Sequence, residues 1–253
     1  MKKILLINDH IHFSGGGDAV LQLEKKNLIK FGFNVYTLSF GTIKSEKSND
    51  YVIKVSNTIF NSKINKFVLS PRIDREVNQV IKEIQPDLVH IHLISRYPSS
   101  VYNSQSLIDI PVIQTLHGPT LFCSTGWGGL KNSGSCELCI GLKCYLRCCL
   151  DFSSTLLYIN LKNRYWNSLL KVVDLFHCPS LNILNSAKRL GLKSSIYLPL
   201  GIDQEFLNIP VKVIHDRPTL LFVGAIADVK GGEFLLPALN VIKKQIPNVL
   251  LKV

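Results

Sequence analysis

The sequence predicts an α/β protein built on a parallel sheet with helices on both faces. Two observations predict it. Short apolar runs alternate with stretches of helical periodicity from one end of the chain to the other. A glycine turn, Gly15-Gly16-Gly17, also joins the first apolar run to the first helical stretch.

Ile4 to Ile7 is the first strand. Val20, Leu21, Leu23, Leu28 and Ile29 recur at roughly helical spacing, Gly32 ends that helix, and Val35 to Phe40 form the second strand. Strands then follow at Asp87–His92, entered from Pro86, at Ile110–Leu116, at Val173–Cys178 and at Ser195–Leu198. Helices fit between them at Arg72–Ile84, Tyr97–Leu107, Thr155–Val172 and Leu181–Leu190. In such sheets ligands bind outside the carboxyl ends of the strands. The pattern restarts after Gly201–Pro210, with a strand at Thr219–Val223, a loop, a helix at Glu233–Gln245 and a strand from Val249. The expected division is a first domain over 1–203 and the truncated start of a second over 204–253, since one β-α-β unit cannot close a core of its own.

Composition narrows the class. With 253 residues, 46% hydrophobic and 19% charged, the chain can bury a sizeable core, which excludes global disorder and coiled coil. The net charge of +11 favours anionic partners. No apolar run reaches the roughly 18 residues of a membrane-spanning helix. Met1-Lys2-Lys3 followed by Ile4–Ile7 reads as a strand start, because Asn8-Asp9-His10 cuts the apolar run too short for a signal peptide, so the expected compartment is the cytoplasm. Seven cysteines, six of them between Cys123 and Cys149, do not look like a disulfide framework.

Three turns carry chemistry. Gly15, Gly16 and Gly17 precede a helix, where backbone N–H groups and the helix dipole attract phosphate; the other reading is a tight turn. Val20 occupies the place of the third glycine of a dinucleotide fingerprint and the second strand lacks a terminal acid, which argues against a nicotinamide dehydrogenase. His117, in Thr115-Leu116-His117-Gly118 at a strand's end, can hydrogen-bond a hydroxyl or donate to an oxyanion. His92 ends the preceding strand in the same way and reads as a histidine satisfying a loop carbonyl. Lys230 and Gly231 precede the helix of the second unit, where an ammonium can neutralise a phosphate; an ordinary solvated lysine is the other reading.

Taken in order, these features resemble glycosyltransferase family 4, the retaining GT-B transferases that use nucleotide sugars. Gly15-Gly16-Gly17-Asp18 stands where the family carries Gly-Gly-x-Glu. Pro86 to His92 is similar to a family strand, and Thr115-Leu116-His117-Gly118 to its histidine strand end. Gly201-Ile202-Asp203 is similar to the interdomain Asn-Gly-Ile-Asp phrase, with Leu200 for Asn, and Phe222-Val223-Gly224 through Lys230-Gly231 to the opening of the donor-binding domain. The resemblance implies two Rossmann-like GT-B domains, the second truncated here. It also implies transfer of a hexose from a nucleotide sugar to a saccharide or lipid-linked acceptor, as in cell-surface polysaccharide synthesis. His117 would hydrogen-bond the transferring sugar, and Gly15–Gly17 with Lys230 and Gly231 would hold the diphosphate. No catalytic metal is expected. Ala225 replaces the arginine that usually shares the diphosphate with the lysine, and the paired-glutamate motif would lie beyond Val253. Little or no turnover is therefore expected of this chain alone. The alternative is a non-catalytic binding half, or a remnant, that docks a separate donor-domain polypeptide.

Two further features bear on partners. Cys136-Glu137-Leu138-Cys139 has metal-knuckle spacing, and Cys123 with Cys148 or Cys149 completes four thiolates for a structural Zn²⁺; reduced thiols are the other reading. A subset of the family is similar, with a cysteine-rich insertion after the histidine strand. Between Lys131 and Leu200 nine basic residues face three acids, and Tyr158, Tyr165 and Trp166 lie among them. Such a helical face can rest on anionic lipid at the inner side of the membrane, or it is simply solvated. Nucleic acid is not expected, because the charge is spread over several elements and no recognition motif appears.

Overall fold

A computed structural model describes residues 1–10, 15–41, 48–55, 69–94, 98–118, 165–208, 217–224 and 230–253. The chain divides into two compact units, Met1–Ile202 and Asp203–Val253.

The first unit is a seven-stranded, wholly parallel sheet. Its strands are β1 (Lys3–Ile7), β2 (Asn34–Gly41), β3 (Asp50–Lys54), β4 (Leu88–Ile91), β5 (Val112–Thr115), β6 (Leu175–Cys178) and β7 (Ser195–Tyr197). Their spatial order is β3-β2-β1-β4-β5-β6-β7, with Ile7 beside Ile91 and Thr115 beside His177. The chain runs outward through β1, β2 and β3, then returns to place β4 against the other side of β1. That reversal is the topological switch point, where α/β sheets open a crevice for ligands.

Alternation along the strands sorts the side chains onto two faces. Leu5, Ile7, Val89, Ile91, Val112 and Phe176 point to one face. There they pack with Ile73, Val77, Ile81 and Ile84 of α2 (Pro71–Ile84), with Val101 and Tyr102 of α3 (Pro98–Tyr102), and with Leu169 of the helical stretch 165–172. Ala187 of α4 (Leu181–Arg189) closes this core. Each such buried aliphatic side chain contributes roughly 1.5–3 kcal/mol. The opposite face has a smaller cluster, Ile4, Leu6 and Val35 beneath Leu21 of α1 (Gly16–Lys30). Lys25 of α1 pairs with Asp50 of β3, which also accepts from Thr37 of β2.

The structure differs from the sequence reading in three places. β3 has no counterpart in it. The helix expected over Tyr97–Leu107 is interrupted: α3 ends at Tyr102, and a short 3₁₀ turn covers Gln105–Leu107. Asn78 is the physical cause, since its Oδ1 accepts from Ser104 Oγ and from both the amide and hydroxyl of Ser106, offering this serine-rich stretch an alternative to helical bonds. Finally, Tyr165 is 2% exposed and sits edge-on to Tyr102, while Trp166 packs against the same core. Tyr165 is a core residue and Trp166 is partly buried against the core, so these two aromatics belong neither to a lipid-facing nor to a solvated face, the two readings open from the sequence.

In the second unit, β8 (Thr219–Leu221) and β9 (Leu250–Lys252) pair in parallel across α5 (Gly232–Lys243). Gly231 caps α5 at φ 72, a left-handed conformation that favours glycine. Leu221, Phe234, Leu236 and Val241 of this unit are exposed. No helix among the described residues is long and apolar enough to cross a membrane.

Candidate functional site

The site grows from the polar half of the strand alternation. Val89 and Ile91 face the main core, so His90 and His92 must face the other way, toward α1. Thr115 on β5 and His177 on β6 share that face. Across from them, Glu24 lies three residues after Leu21 and four before Leu28 on the inward stripe of α1. A carboxylate, a hydroxyl and four imidazoles thus meet at the carboxyl ends of β4, β5 and β6, beside the switch point.

One chain of hydrogen bonds runs across the strands. His177 Nε2 donates to the Leu198 carbonyl at 2.7 Å, which leaves His177 Nδ1 as the acceptor for the Thr115 hydroxyl at 2.9 Å. The Thr115 oxygen then accepts from His90 Nε2 at 2.7 Å, and His90 Nδ1 meets Glu24 Oε1 at 2.6 Å. Both ends of this chain are pure acceptors. It closes only with one extra positive charge among its rings, opposite the Glu24 carboxylate. Burial acts to raise the Glu24 carboxyl, but the hydrogen bond from His90 and the nearness of the His92 ring outweigh it and hold Glu24 well below the usual carboxylate range.

A second chain leads to His117. Glu24 Oε2 lies 3.2 Å from His92 Nε2, a close contact that lacks hydrogen-bond alignment and leaves this buried nitrogen without a partner. His92 Nδ1 is 3.1 Å from His117 Nε2, and the two rings stack at 5.3 Å. Because the carboxylate favours the proton on His92 Nε2, His92 Nδ1 accepts and His117 Nε2 donates. His117 is then left with an unprotonated Nδ1. Burial first, then the neighbouring His92, pushes the His117 ring down to about 4, so it is neutral at pH 7. Burial likewise lowers His92. Behind them, Gln114 Nε2 donates to the His92 carbonyl at 2.7 Å and its Oε1 accepts from Tyr102 at 2.6 Å, fixing the strand end.

The glycine turn meets the same histidine. Gly15 caps α1 in an extended conformation with no side-chain cap, and among the described residues no side chain caps the first amides of α1, the kind of helix start that can hold an anionic ligand. Asp18 in that first turn is turned inward, accepting from Asn8 Nδ2 at 2.7 Å. A Cβ built on Gly17 would stand 3.7 Å from His117 Cγ, which is ordinary contact. Gly17→Ala should therefore fit, and raise stability by up to about 0.5 kcal/mol through helix propensity. Gly17→Val should push on the ring and lower stability by about 1 kcal/mol. Thermal melts of the two variants check both signs.

Of the residues singled out from the sequence, the structure brings Gly17 and His117 together, with Gly15 and Gly16 at the adjoining helix start. Lys230 and Gly231 stand at the start of α5 in the other unit. Cys123, Cys136, Cys139 and Cys148 lie outside the described residues, as does Ala225. Sequence reasoning missed Glu24, Thr115 and His177, and it read His92 as satisfied by a loop carbonyl, whereas its ring bridges Glu24 and His117. The available signal was a glutamate on the apolar stripe of α1 and histidines alternating with Val89 and Ile91.

Comparison with known proteins bears on the family and the fold. The profile of Glycosyltransferase Family 4 matches residues 14–206, and the chain belongs to that family. No curated protein matches it at a significant level. Among solved structures, UDP-GlcNAc 2-epimerase from Methanocaldococcus jannaschii is similar with TM-score 0.51 and 11% identity, over 100% of this chain and 66% of that one. MurG from Acinetobacter baumannii is similar with TM-score 0.50 and 12% identity, over 100% and 66%. A UDP co-structure of S. aureus MnaA has TM-score 0.50 and 12% identity, over 99% and 61%. The fold is thus the Rossmann-like α/β fold of GT-B proteins, and the chain spans under two thirds of the length of these structures.

Proposed function

We propose that the protein transfers a hexose from a nucleotide sugar to a saccharide or lipid-linked acceptor in cell-surface polysaccharide synthesis. One observation carries the reading: a neutral, ring-fixed His117 rests against the uncapped glycine start of α1, beside the switch point of the sheet. The amides of such a helix start suit an anionic group, and the histidine suits a sugar hydroxyl at hydrogen-bond range. Developing charge on a leaving diphosphate is stabilised by such donors and by a lysine such as Lys230 with the turn at Gly231. A non-catalytic binding half that docks a separate donor domain is the second reading, favoured by Ala225 in place of the expected arginine. Calorimetric titration with UDP, GDP and their hexose conjugates tests the first. Binding that weakens in Gly17→Val supports it, and the absence of binding by any nucleotide in the full-length protein opposes it.

Two partner assignments belong to the same reading. The exposed Lys171, Lys188, Arg189 and Lys193 support a peripheral contact with anionic lipid at the inner membrane face. Cys123, Cys136, Cys139 and Cys148 have the residue types and spacing for one structural Zn²⁺. Four of the seven thiols should then resist a thiol reagent until a chelator is added. Seven freely titrating thiols in the untreated protein would count against the zinc.

A further inference from the structure

We propose that Glu24, His90 and His92 form a binding site for one divalent transition-metal ion, held by the Glu24 carboxylate, His90 Nδ1 and His92 Nε2. The proposal does not depend on the transferase reading.

The three ligand atoms come from two elements and lie within 4.8 Å of one another. At metal–ligand distances near 2.1 Å, atoms around a tetrahedral ion stand roughly 3.4 Å apart. Glu24 Oε2 and His92 Nε2 are at 3.2 Å, close to that separation, and Glu24 Oε1 and His90 Nδ1 at 2.6 Å, a pair that an ion would open.

Three features favour an ion over a simple ion pair. The far nitrogen of each ligating ring is already held, His90 Nε2 by Thr115 and His92 Nδ1 by His117, which is how metal-binding imidazoles are oriented. His92 Nε2 is buried with no hydrogen-bond partner, in a side chain 1% exposed. The chain from Leu198 to Glu24 also demands one extra positive charge. A proton on His90 supplies that charge but leaves His92 Nε2 unpartnered. A cation bound to His90 Nδ1 supplies it while His90 Nε2 still donates to Thr115, and it occupies His92 Nε2 as well. Every histidine in the network is then neutral, the state in which imidazole binds metal. Two imidazoles and a carboxylate suit Zn²⁺, Fe²⁺, Co²⁺ or Ni²⁺.

Occupancy has a consequence for His117. A His92 bound through Nε2 keeps its proton on Nδ1 and donates to His117 Nε2. The His117 proton then moves to Nδ1, and the exposed side of the ring changes from acceptor to donor.

The test is a Zn²⁺ titration of the whole chain, followed through the imidazole nitrogen resonances of its seven histidines. These signals do not respond to zinc held by thiolates. His90 and His92, assigned with His90→Gln and His92→Gln, should shift to metal-bound positions on addition of stoichiometric zinc, and His117 should change tautomer. Glu24→Gln should weaken the site about a hundredfold and Thr115→Val about tenfold, as loss of a ligand and of a ligand-orienting partner do. If Glu24→Gln fails to fold, the wild-type shifts decide alone. Unmoved His90 and His92 signals in zinc-saturated protein would overturn the proposal, as would identical shifts in a folded Glu24→Gln variant.

Discussion

His117→Ala is expected to lower the turnover number of sugar transfer by the full-length protein about a hundredfold, with little change in KM. In the proposed transfer the free Nδ1 accepts from a sugar hydroxyl, a hydrogen bond that strengthens as positive charge develops on the sugar, so its loss falls mainly on the transition state. Thermal stability should hold, because His117 is partly exposed at a strand end and packs on Gly17 rather than in the core. The pH profile adds an independent mark. With the ring pushed down to about 4, no limb of kcat near pH 6.5 should belong to His117; the rate should fall only as pH drops toward 4 and the ring protonates. A purely structural histidine would show the reverse: a lower melting temperature, with normal specific activity in the folded fraction.

Glu24→Ala should cost about 2–3 kcal/mol of stability at pH 7, the lower end of the range for breaking a buried pair because its side chain is 26% exposed. That corresponds to a melting temperature roughly 5–10 °C lower for a domain of this size. The variant leaves the extra charge on the histidine chain without its counter-charge. The acid side of the stability curve follows from the same groups. Glu24 is lowered in the fold, so its contribution is present above the unfolded value near pH 4.3 and fades as pH falls below it. His117, lowered to about 4, stays neutral in the fold while the unfolded chain takes up its proton below about pH 6.5. The unfolded state then binds more protons, and stability falls as pH drops from 6.5 to 4, by about 3 kcal/mol at most. Denaturation series at pH 7, 5.5 and 4 should show that slope, and His117→Gln should flatten it.

Much of the sheet is legible in the sequence because parallel strands buried on both faces write themselves as unbroken apolar runs. Ile4–Ile7 is of this kind, and the run from Leu88 to Ile91 is so but for His90. β3 escapes because it is a five-residue edge strand, Asp50-Tyr51-Val52-Ile53-Lys54, with polar ends and a half-exposed middle. The break after Tyr102 escapes because it depends on Asn78, two dozen residues earlier. For the site, His117 is legible because a histidine beside a glycine at a strand end is a local pattern. Glu24 is not. Its role rests on α1 crossing the sheet at β4, a tertiary fact, and a lone glutamate on a helix usually reads as solvated. His92 alone is not informative either, because its meaning comes from its register two residues after His90 and its nearness to His117 beyond β5.

The most direct measurement is transfer itself. Full-length wild-type protein and a folded His117→Ala variant are given a panel of UDP- and GDP-hexoses with membrane-extracted glycolipid acceptors. Acceptor-dependent release of nucleoside diphosphate is followed, and the anomeric configuration of the product is read by proton NMR. The expected result is transfer from one donor with retained configuration, lowered about a hundredfold in His117→Ala. Equal rates in the two proteins, or no acceptor-dependent release from any donor, would contradict the assignment of this site to sugar transfer.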